Sequence, residues 1–347
     1  MNLPVTSEIS RNMINYLADL IWLNDIPMTE STSKLGWMKM PDGYDFMPYD
    51  NKRLTFDADD RFKNIVNSIK PEGDPIAWMD MMREIRKDGR VEPRTMMASS
   101  AGSALVERLG ANPFAVHLYG QTEGGKTVCL MAATSIWANP NPDAGYMGNF
   151  KTTQVALETR ADLLNNLPLV LDDTAQVSAK LRDDFDGLIY VLCSGTGKDR
   201  SNQELGLRRA NTWRLSVLTT GEHPIVSDDS QGGAANRVVQ VECGADRIFK
   251  DGHRVAETVK ANYGWCGIWF IHAIKEIGME TLTEKYKHYF EIFRKAGKME
   301  KQAQSAAIIM VADWILTDHI FKDGIYLTTD EVLTFLRSEN EISINLS

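Results

Sequence analysis

A chain of 347 residues is long for one compact domain and short for three, so a core domain of about 150 to 200 residues with additions at one or both ends is expected. Apolar residues at 43% and charged residues at 24% supply enough material for a sizeable core and exclude a disordered chain. With 38 Lys and Arg against 47 Asp and Glu, a formal charge of -9, indiscriminate adhesion to nucleic acid or anionic lipid is excluded, and such binding must come from a local basic patch.

The N-terminal residues, MNLPVTSEISRNMINYLADLIWLND, have no basic segment followed by an apolar run, and charged residues interrupt the long apolar stretches elsewhere. Neither a signal peptide nor a transmembrane helix is expected. From Ser10 to Leu23 the apolar residues fall at helical spacing, and the turn-rich stretch that follows carries short extended pieces such as Tyr44 to Met47. Two more helices are expected, DPIAWMDMMREIRKDG with an Asp74-Pro75 cap and a Gly89 stop, and EPRTMMASSAGSALVERLG ended by Gly110.

From Pro113 the texture changes to short apolar runs alternating with helical segments, the pattern of a parallel sheet built from strand-helix-strand units. The expected strands are FAVHLY, GNFKTT, PLVLDD, WRLSVLTT and RVVQVEC, with helices GKTVCLMAATSIW, QVALETRADLLNNL and SAKLRDDFDGLIYVLC between them. After about Ala245 the strands stop. DGHRVAETVKANYGWCGIWFIHAIKEIG, LTEKYKHYFEIFRKAG and EKQAQSAAIIMVADWILTDHIF then read as three successive helices, and TTDEVLTFLRS as a last short one capped at Thr329 to Asp330. Cys129, Cys193, Cys243 and Cys266 have no paired spacing, which argues against a zinc site or a disulfide framework and for small buried hydrophobes in a reducing cytoplasm.

The stretch HLYGQTEGGKT fits G-x-x-x-x-G-K-[ST] at Gly120, Gly125, Lys126 and Thr127. Its glycines permit a loop whose backbone N–H groups converge on a phosphate, and the helix behind it adds its positive end. Gly120, Gln121, Thr122, Glu123, Gly124, Gly125, Lys126, Thr127 and Val128 are therefore the expected ATP-binding residues, with Lys126 reaching the β and γ phosphates and Thr127 ligating Mg²⁺. The run NLPLVLDD ends in Asp172-Asp173 at the carboxyl edge where α/β sheets bind ligands. Asp172 is placed to hold Mg²⁺ through water, and Asp173 to orient and deprotonate an attacking water. A complete strand and helix between loop and acidic run make the acidic strand third in sequence, the arrangement of AAA+ and RecA-like motors and not of most nucleoside kinases. His117, mid-strand before the loop, reads as a satisfied core histidine.

The combination LGWMKMPDGYDFMP, HLYGQTEGGKT, AATSIWANP, TTQVALETRADLLNNLPLVLDD, YVLCSGTGKDRS and LSVLTTGEHPI resembles the phage and mobile-element ATPase family known as domain of unknown function 927. That resemblance implies an AAA+ fold of the MCM-like helicase kind, a P-loop NTPase with a parallel five-stranded core sheet and a helical lid. It implies a homohexameric ring around DNA, acting in the cytoplasm of a bacterium or phage-infected host, often beside a primase. Family members commonly carry Asp-Glu where this chain has Asp172-Asp173, which shortens the catalytic carboxylate by one methylene.

The strand WRLSVLTTGE is expected beside the phosphate-loop strand, with Thr219, and Thr220 close behind it, at the place of the sensor for the γ phosphate; the pair fits a turn cap equally. SGTGKDRSNQELGLRRANTWR carries Lys198, Arg200, Arg208, Arg209 and Arg214 against Asp199 and Glu204. It reads either as a solvated loop or as a β-hairpin that grips DNA phosphates through Lys198, Arg200, Arg208 and Arg209. In MCM-like rings a hairpin just before the sensor strand projects into the pore. Arg237, at the entrance to the fifth strand, matches the MCM-like position of a finger acting on the neighbouring subunit's γ phosphate, and fits a surface strand edge as well. Arg294, Lys298 and Lys301 are unranked candidates for a nucleotide-sensing residue of the lid. The expected division is an N-terminal accessory region at 1–95, an ATPase core at 96–245 and a helical lid at 246–347. Besides a DNA helicase, the pattern suits a packaging or recombination motor, or a nucleotide-gated assembly protein.

Overall fold

A computed structural model describes residues 9–24, 30–51, 54–57, 60–177, 185–198, 200–201, 207–208, 210–226 and 232–336. Helix α1 (Ser10–Leu23) buries none of its residues. Strand β1 (Glu30–Thr32), the antiparallel hairpin of β2 (Gly36–Met40) and β3 (Gly43–Met47), and β4 (Leu54–Phe56), which pairs in parallel with β1, follow it. Helix α2 (Lys63–Ser68) leads to α3 (Pro75–Lys87), which starts where the sequence places it: the Asp74 carboxylate accepts the Ile76 N–H at 2.8 Å and Pro75 occupies the first turn.

Helix α4 (Val91–Val106) is buried from Glu92 to its end, because MMASSAGSALV offers small residues on every face. It packs between the sheet and the equally buried helix Glu300–Ile315, close enough for the Ser216 hydroxyl to donate to the Ser99 carbonyl at 2.8 Å. The helix runs across residue 95, and one apolar cluster extends from Leu35 through the sheet to Leu336.

The central sheet contains β5 (Phe114–Tyr119), β6 (Gly148–Asn149), β7 (Leu169–Asp172), β10 (Ser216–Gly221) and β11 (Val238–Glu242); β8 (Arg200–Ser201) and β9 (Leu207–Arg208) form a separate antiparallel pair. The sheet is wholly parallel in the order β11-β5-β10-β7-β6. The strand after the acidic pair is thus wedged between the phosphate-loop strand and the acidic strand, with Thr219 opposite His117 on one side and Leu171 on the other. Helix α5 (Lys126–Thr134) follows β5, and α6 (Gln154–Leu164) links β6 to β7. Burial on both faces explains the continuous apolar runs of β5, β7 and β10.

The C-terminal helices differ from the sequence expectation. DGHRVAETVKANYGWCGIWFIHAIKEIG is two helices, Gly252–Ala261 and Trp265–Ile277. They part because Gly264 takes φ 78°, and its N–H leaves the helical ladder to reach the Ser135 carbonyl at 2.8 Å. Helices Met279–Lys295 and Glu300–Ile315 follow, the latter closing in a π-helical segment, Leu316–Phe321. The final helix, Thr329–Leu333, is capped by Thr328 and not at Thr329: the Thr328 hydroxyl accepts the Glu331 N–H and the Glu331 side chain returns to the Thr328 N–H. Residues 178–184 of the expected third helix lie outside the described set, and the helix is present at Phe185–Ser194. Among the described residues no helix is long and apolar enough to cross a membrane.

Candidate nucleotide site

The phosphate loop joins β5 to α5, and its backbone is dictated by glycine at two points. A Cβ on Gly120 would stand 2.9 Å from the Cys243 carbonyl oxygen, and Gly125, at φ 98°, would press one against the Phe249 ring. Neither position accepts a side chain without moving the segment after β11. Between them Glu123 holds φ 64°. Such backbone costs on the order of 1–3 kcal/mol and concentrates at ligand clamps. The loop is backed by the Ile248 N–H donating to the Gly124 carbonyl at 2.9 Å and by the Cys243 N–H donating to the Tyr119 carbonyl at 2.7 Å. Lys126 spans it from within, its ammonium donating to the carbonyls of Gly120 at 2.9 Å and Gln121 at 2.6 Å.

Facing the loop, the carboxyl ends of β7 and β10 close a cleft of about 420 Å³ lined by Thr122 to Val128, Asp172, Asp173, Gln176 and Thr220 to Glu222. Asp172 lies at its centre. The Thr127 hydroxyl stands 3.2 and 3.3 Å from its two carboxylate oxygens, and the Thr220 hydroxyl donates to the same group. Two hydroxyls and a carboxylate converging at the head of a glycine loop fit a hard cation that keeps several waters and binds few protein oxygens, as Mg²⁺ does. Among the described residues no group of three or more His, Cys, Asp or Glu side chains could hold a metal ion by itself.

Asp173 lines the same cleft, with its carboxylate engaged in its own backbone turn. At φ 58° it caps the short turn Thr174–Gln176, one carboxylate oxygen accepting the Ala175 N–H at 3.0 Å and the other the Gln176 side-chain amide at 3.0 Å. Its N–H donates to the Thr220 hydroxyl at 3.1 Å. Strand alternation separates the two threonines: Thr220 enters the cleft, whereas Thr219 turns to the other face and hydrogen-bonds His117 at 2.8 Å. Of the two hydroxyls expected at the sensor position, the one in the cleft belongs to Thr220.

His117 is fully buried and bonded at both ring nitrogens, Nδ1 to the Thr219 hydroxyl and Nε2 to the His223 carbonyl at 2.9 Å. A carbonyl only accepts, so Nε2 carries the proton and Nδ1 receives that of Thr219. Burial, with the Lys126 charge adding to it and the His223 bond opposing, lowers this imidazole to about 4. It is a neutral strut. All four cysteines are buried and free, and burial raises the Cys243 thiol, beside the loop, to about 11, which removes it as a nucleophile at neutral pH.

Sequence reasoning missed Glu222, which lines the cleft and accepts the Thr122 hydroxyl at 2.6 Å, and Gln176, which holds Asp173. Both are polar residues just beyond the ends of cleft-forming strands, which is the only signal they carry.

The other expected residues lie away from this cleft. Arg237 is 7% exposed at the start of β11; its guanidinium covers the Tyr190 ring at 4.2 Å and donates to the Gly233 carbonyl. Lys198 is exposed. The basic segment is a hairpin: Arg200 pairs with Arg208 and Ser201 with Leu207. The same register continues to its root through the Thr196 to Thr212 bridge, the Gly197 N–H to Asn211 carbonyl bond at 2.8 Å and the Trp213 N–H to Gly195 carbonyl bond at 3.1 Å. Arg209 lies outside the described residues. In the C-terminal helices the Lys298 ammonium donates to the Leu336 carbonyl at 2.6 Å and Arg294 to the Lys298 carbonyl. Neither they nor Lys301 line the cleft.

A family model described as "Domain of unknown function (DUF927)" matches residues 1–212. No curated protein matches. Among solved structures, "SCCmec type IV Cch - active helicase" is similar at a TM-score of 0.72 with 15% identity, covering 99% of this chain and 64% of that one. This chain therefore spans less than two thirds of that protein, and the likeness is one of fold, an α/β P-loop architecture with C-terminal helices. "The A form apo structure of NrS-1 C terminal region-CTR" matches at a TM-score of 0.37 with 12% identity, covering 96% of this chain and 84% of that one; the fold argument rests on the first alone.

Proposed function

The chain belongs to the family described as domain of unknown function 927, and from that premise we propose that it is an ATP-hydrolysing motor of the AAA+ kind that works as a ring on DNA. The observation that carries this reading is the convergence of Thr127, Asp172 and Thr220 at the carboxyl edge of a sheet ordered β11-β5-β10-β7-β6. The fold it shares with the solved Cch helicase supports the reading. Residues 1–95 are then an accessory region, 96–245 the ATPase core and 246–347 the lid.

In this reading the N–H groups of Gly120 to Thr127 wrap the phosphates, and Lys126 leaves the Gly120 and Gln121 carbonyls for the β and γ phosphates. Thr127 and Asp172 would hold Mg²⁺, which when bound would neutralise charge on the phosphate oxygens. Thr220 holds Asp172 in place and serves as the sensor, while Thr219 braces it through the strand. Asp173 orients water and takes its proton as the water oxygen bonds the γ phosphorus and the bond to the bridging oxygen breaks. For this the carboxylate must exchange the Ala175 and Gln176 contacts for water.

Arg237 is the residue assigned to a neighbour's site, and the ring is a homo-oligomer, by family likeness a hexamer. The hairpin at 195–213 grips a single strand in the pore: its backbone register pairs Arg200 with Arg208, two of the basic residues that suit phosphate contact. A replication role beside a primase follows from the mobile-element resemblance. Packaging or recombination would use the same parts.

A second reading, a nucleotide-gated assembly protein with slow turnover, is favoured by one observation, that both oxygens of Asp173 are engaged in its own turn. The test is ATPase turnover with and without single-stranded DNA, together with mass measurement with and without ATP. The motor reading expects DNA-stimulated turnover and a ring; nucleotide-dependent assembly without stimulated turnover would select the second.

A further inference from the structure

The hairpin is not a free loop at its root. Both of its arms are held by residues that belong to neither the nucleotide cleft nor the hairpin. On the outgoing side, the Thr212 N–H donates to the Asp162 carboxylate at 2.7 Å. The same carboxylate is ion-paired to Lys34, whose ammonium also donates to the Thr212 carbonyl at 2.8 Å and hydroxyl at 3.2 Å. On the incoming side, the Arg214 guanidinium donates to the Gly195 carbonyl at 3.1 Å, and the Arg214 backbone is fixed by its N–H to the Asn165 carbonyl at 3.0 Å and its carbonyl to the Asn166 amide at 3.1 Å. Asn166 in turn accepts the Trp37 N–H at 2.8 Å, and the Leu35 N–H donates to the Leu163 carbonyl at 2.8 Å.

We infer that Asp162 and Lys34 are positioning residues for nucleic-acid engagement: with the N-terminal segment 34–37 they clamp the hairpin root to the corner between α6 and β7 and so aim the hairpin. The proposal rests on the nucleic-acid reading of the hairpin. The anchorage sits at the corner that opens β7, the strand that ends at Asp172. A displacement of β7 at the cleft would reach the hairpin root through Asn165, the buried Asn166 and Asp162. Quarter-exposed side chains suffice for this because each makes more than one bond at once, one of them to the Thr212 backbone. Asp162 and Lys34 are 25% and 27% exposed, and Asp162 serves a backbone N–H and an ammonium with one carboxylate.

The sign of one substitution separates positioning from plain charge. Removing the Asp162 carboxylate takes a negative charge from beside a basic hairpin, and electrostatics alone would tighten DNA binding. Positioning requires the opposite. The experiment measures single-stranded DNA affinity, DNA-stimulated and basal ATPase, and hydrogen exchange of the Gly197 and Trp213 amides in the full chain, for Asp162→Ala, Asp162→Asn, Lys34→Ala and Arg208→Ala.

The expected result is DNA affinity and stimulation about five- to tenfold lower in Asp162→Ala and Lys34→Ala, faster exchange at both root amides, and basal turnover unchanged. Asp162→Asn, which keeps an oxygen to accept the Thr212 N–H, restores most of the loss. Unchanged or tighter DNA binding by Asp162→Ala, while Arg208→Ala weakens it, overturns the proposal and leaves the motor reading standing. If Arg208→Ala also leaves binding unchanged, the nucleic-acid reading of the hairpin fails and the proposal with it. Root amides whose exchange is the same in Asp162→Ala as in the unsubstituted protein overturn the clamp itself.

Discussion

Thr220 and Asp172 are joined across neighbouring parallel strands by a hydroxyl-to-carboxylate hydrogen bond, and the same hydroxyl accepts the N–H of Asp173. One side chain thus registers both members of the acidic pair against the strand next to the phosphate loop. A bond to a charged group contributes about 1.5–3 kcal/mol. If that is expressed in the transition state, Thr220→Ala lowers kcat roughly 10- to 100-fold, Thr220→Ser retains most of it, and Thr219→Ala acts on stability far more than on kcat. Steady-state ATPase measurements on folded variants check this; a larger kcat loss in Thr219→Ala would reverse the assignment.

Lys126 and Asp172 divide the work of binding. Lys126→Ala is expected to weaken ATP binding tenfold or more whether Mg²⁺ is present or chelated, since its contact is to phosphate. Asp172→Asn should leave binding in chelator nearly intact and abolish the gain that Mg²⁺ confers. Titration calorimetry with and without chelator distinguishes the two; equal losses in both conditions for Asp172→Asn would remove it from the metal.

Arg237 has no carboxylate partner among the described residues and lies on the Tyr190 ring. Acting on a neighbour, Arg237→Ala should cut turnover by ~10³ or more while nucleotide affinity stays within about threefold. Mixing it with Lys126→Ala chains should restore part of the activity, because some interfaces then combine an intact loop with an intact arginine. No restoration at any mixing ratio would assign the arginine to packing alone.

Two of the buried ionisable groups, His117 and Asp313, give the folded state opposite pH slopes. His117 is lowered from 6.5 to about 4 by burial. The unfolded chain thus holds the extra proton between those values, and the contribution is complete above about 6.5 and lost as pH falls toward 4, at most roughly 3 kcal/mol. Asp313 is raised from 3.8 to about 6 by burial, against the pull of Arg86. Here the folded state holds the extra proton, and the contribution is present below 3.8 and lost as pH rises through 6. Denaturant unfolding of His117→Gln between pH 4.5 and 6.5 should show less acid destabilisation than the unsubstituted protein; parallel curves would contradict the buried neutral imidazole.

The loop, the acidic strand and the fifth strand were legible because each depends on a local pattern: glycine spacing, an apolar run ending in carboxylates, and an arginine at a strand entry. The hairpin was legible from its basic, turn-rich composition. What escaped the sequence depends on direction. Nothing in TT says which hydroxyl enters the cleft; that follows from the register of Thr219 on His117 and Leu171. His117 reads correctly as core, but its two partners, Thr219 and His223, are a hundred residues away along the chain. The single long helix expected at Asp251 to Gly278 fails at Gly264, where an apolar-periodic sequence carries a glycine whose N–H has a better partner in Ser135, just past the end of α5. No local pattern singles out Asp162 or Lys34, since their meaning lies in a contact between distant segments.

The common register of the described rungs, from Gly195 with Trp213 to Ser201 with Leu207, makes the hairpin's length a quantised variable. One residue inserted in a single arm moves every side chain beyond it to the other face. One inserted in each arm at matching rungs keeps the pairing but turns both arms over beyond it, whereas two in each arm keep pairing and faces alike and add about 6.8 Å. Relatives of different reach that keep the same face on the same side should therefore differ between the root and the tip by multiples of four residues, split equally between the arms.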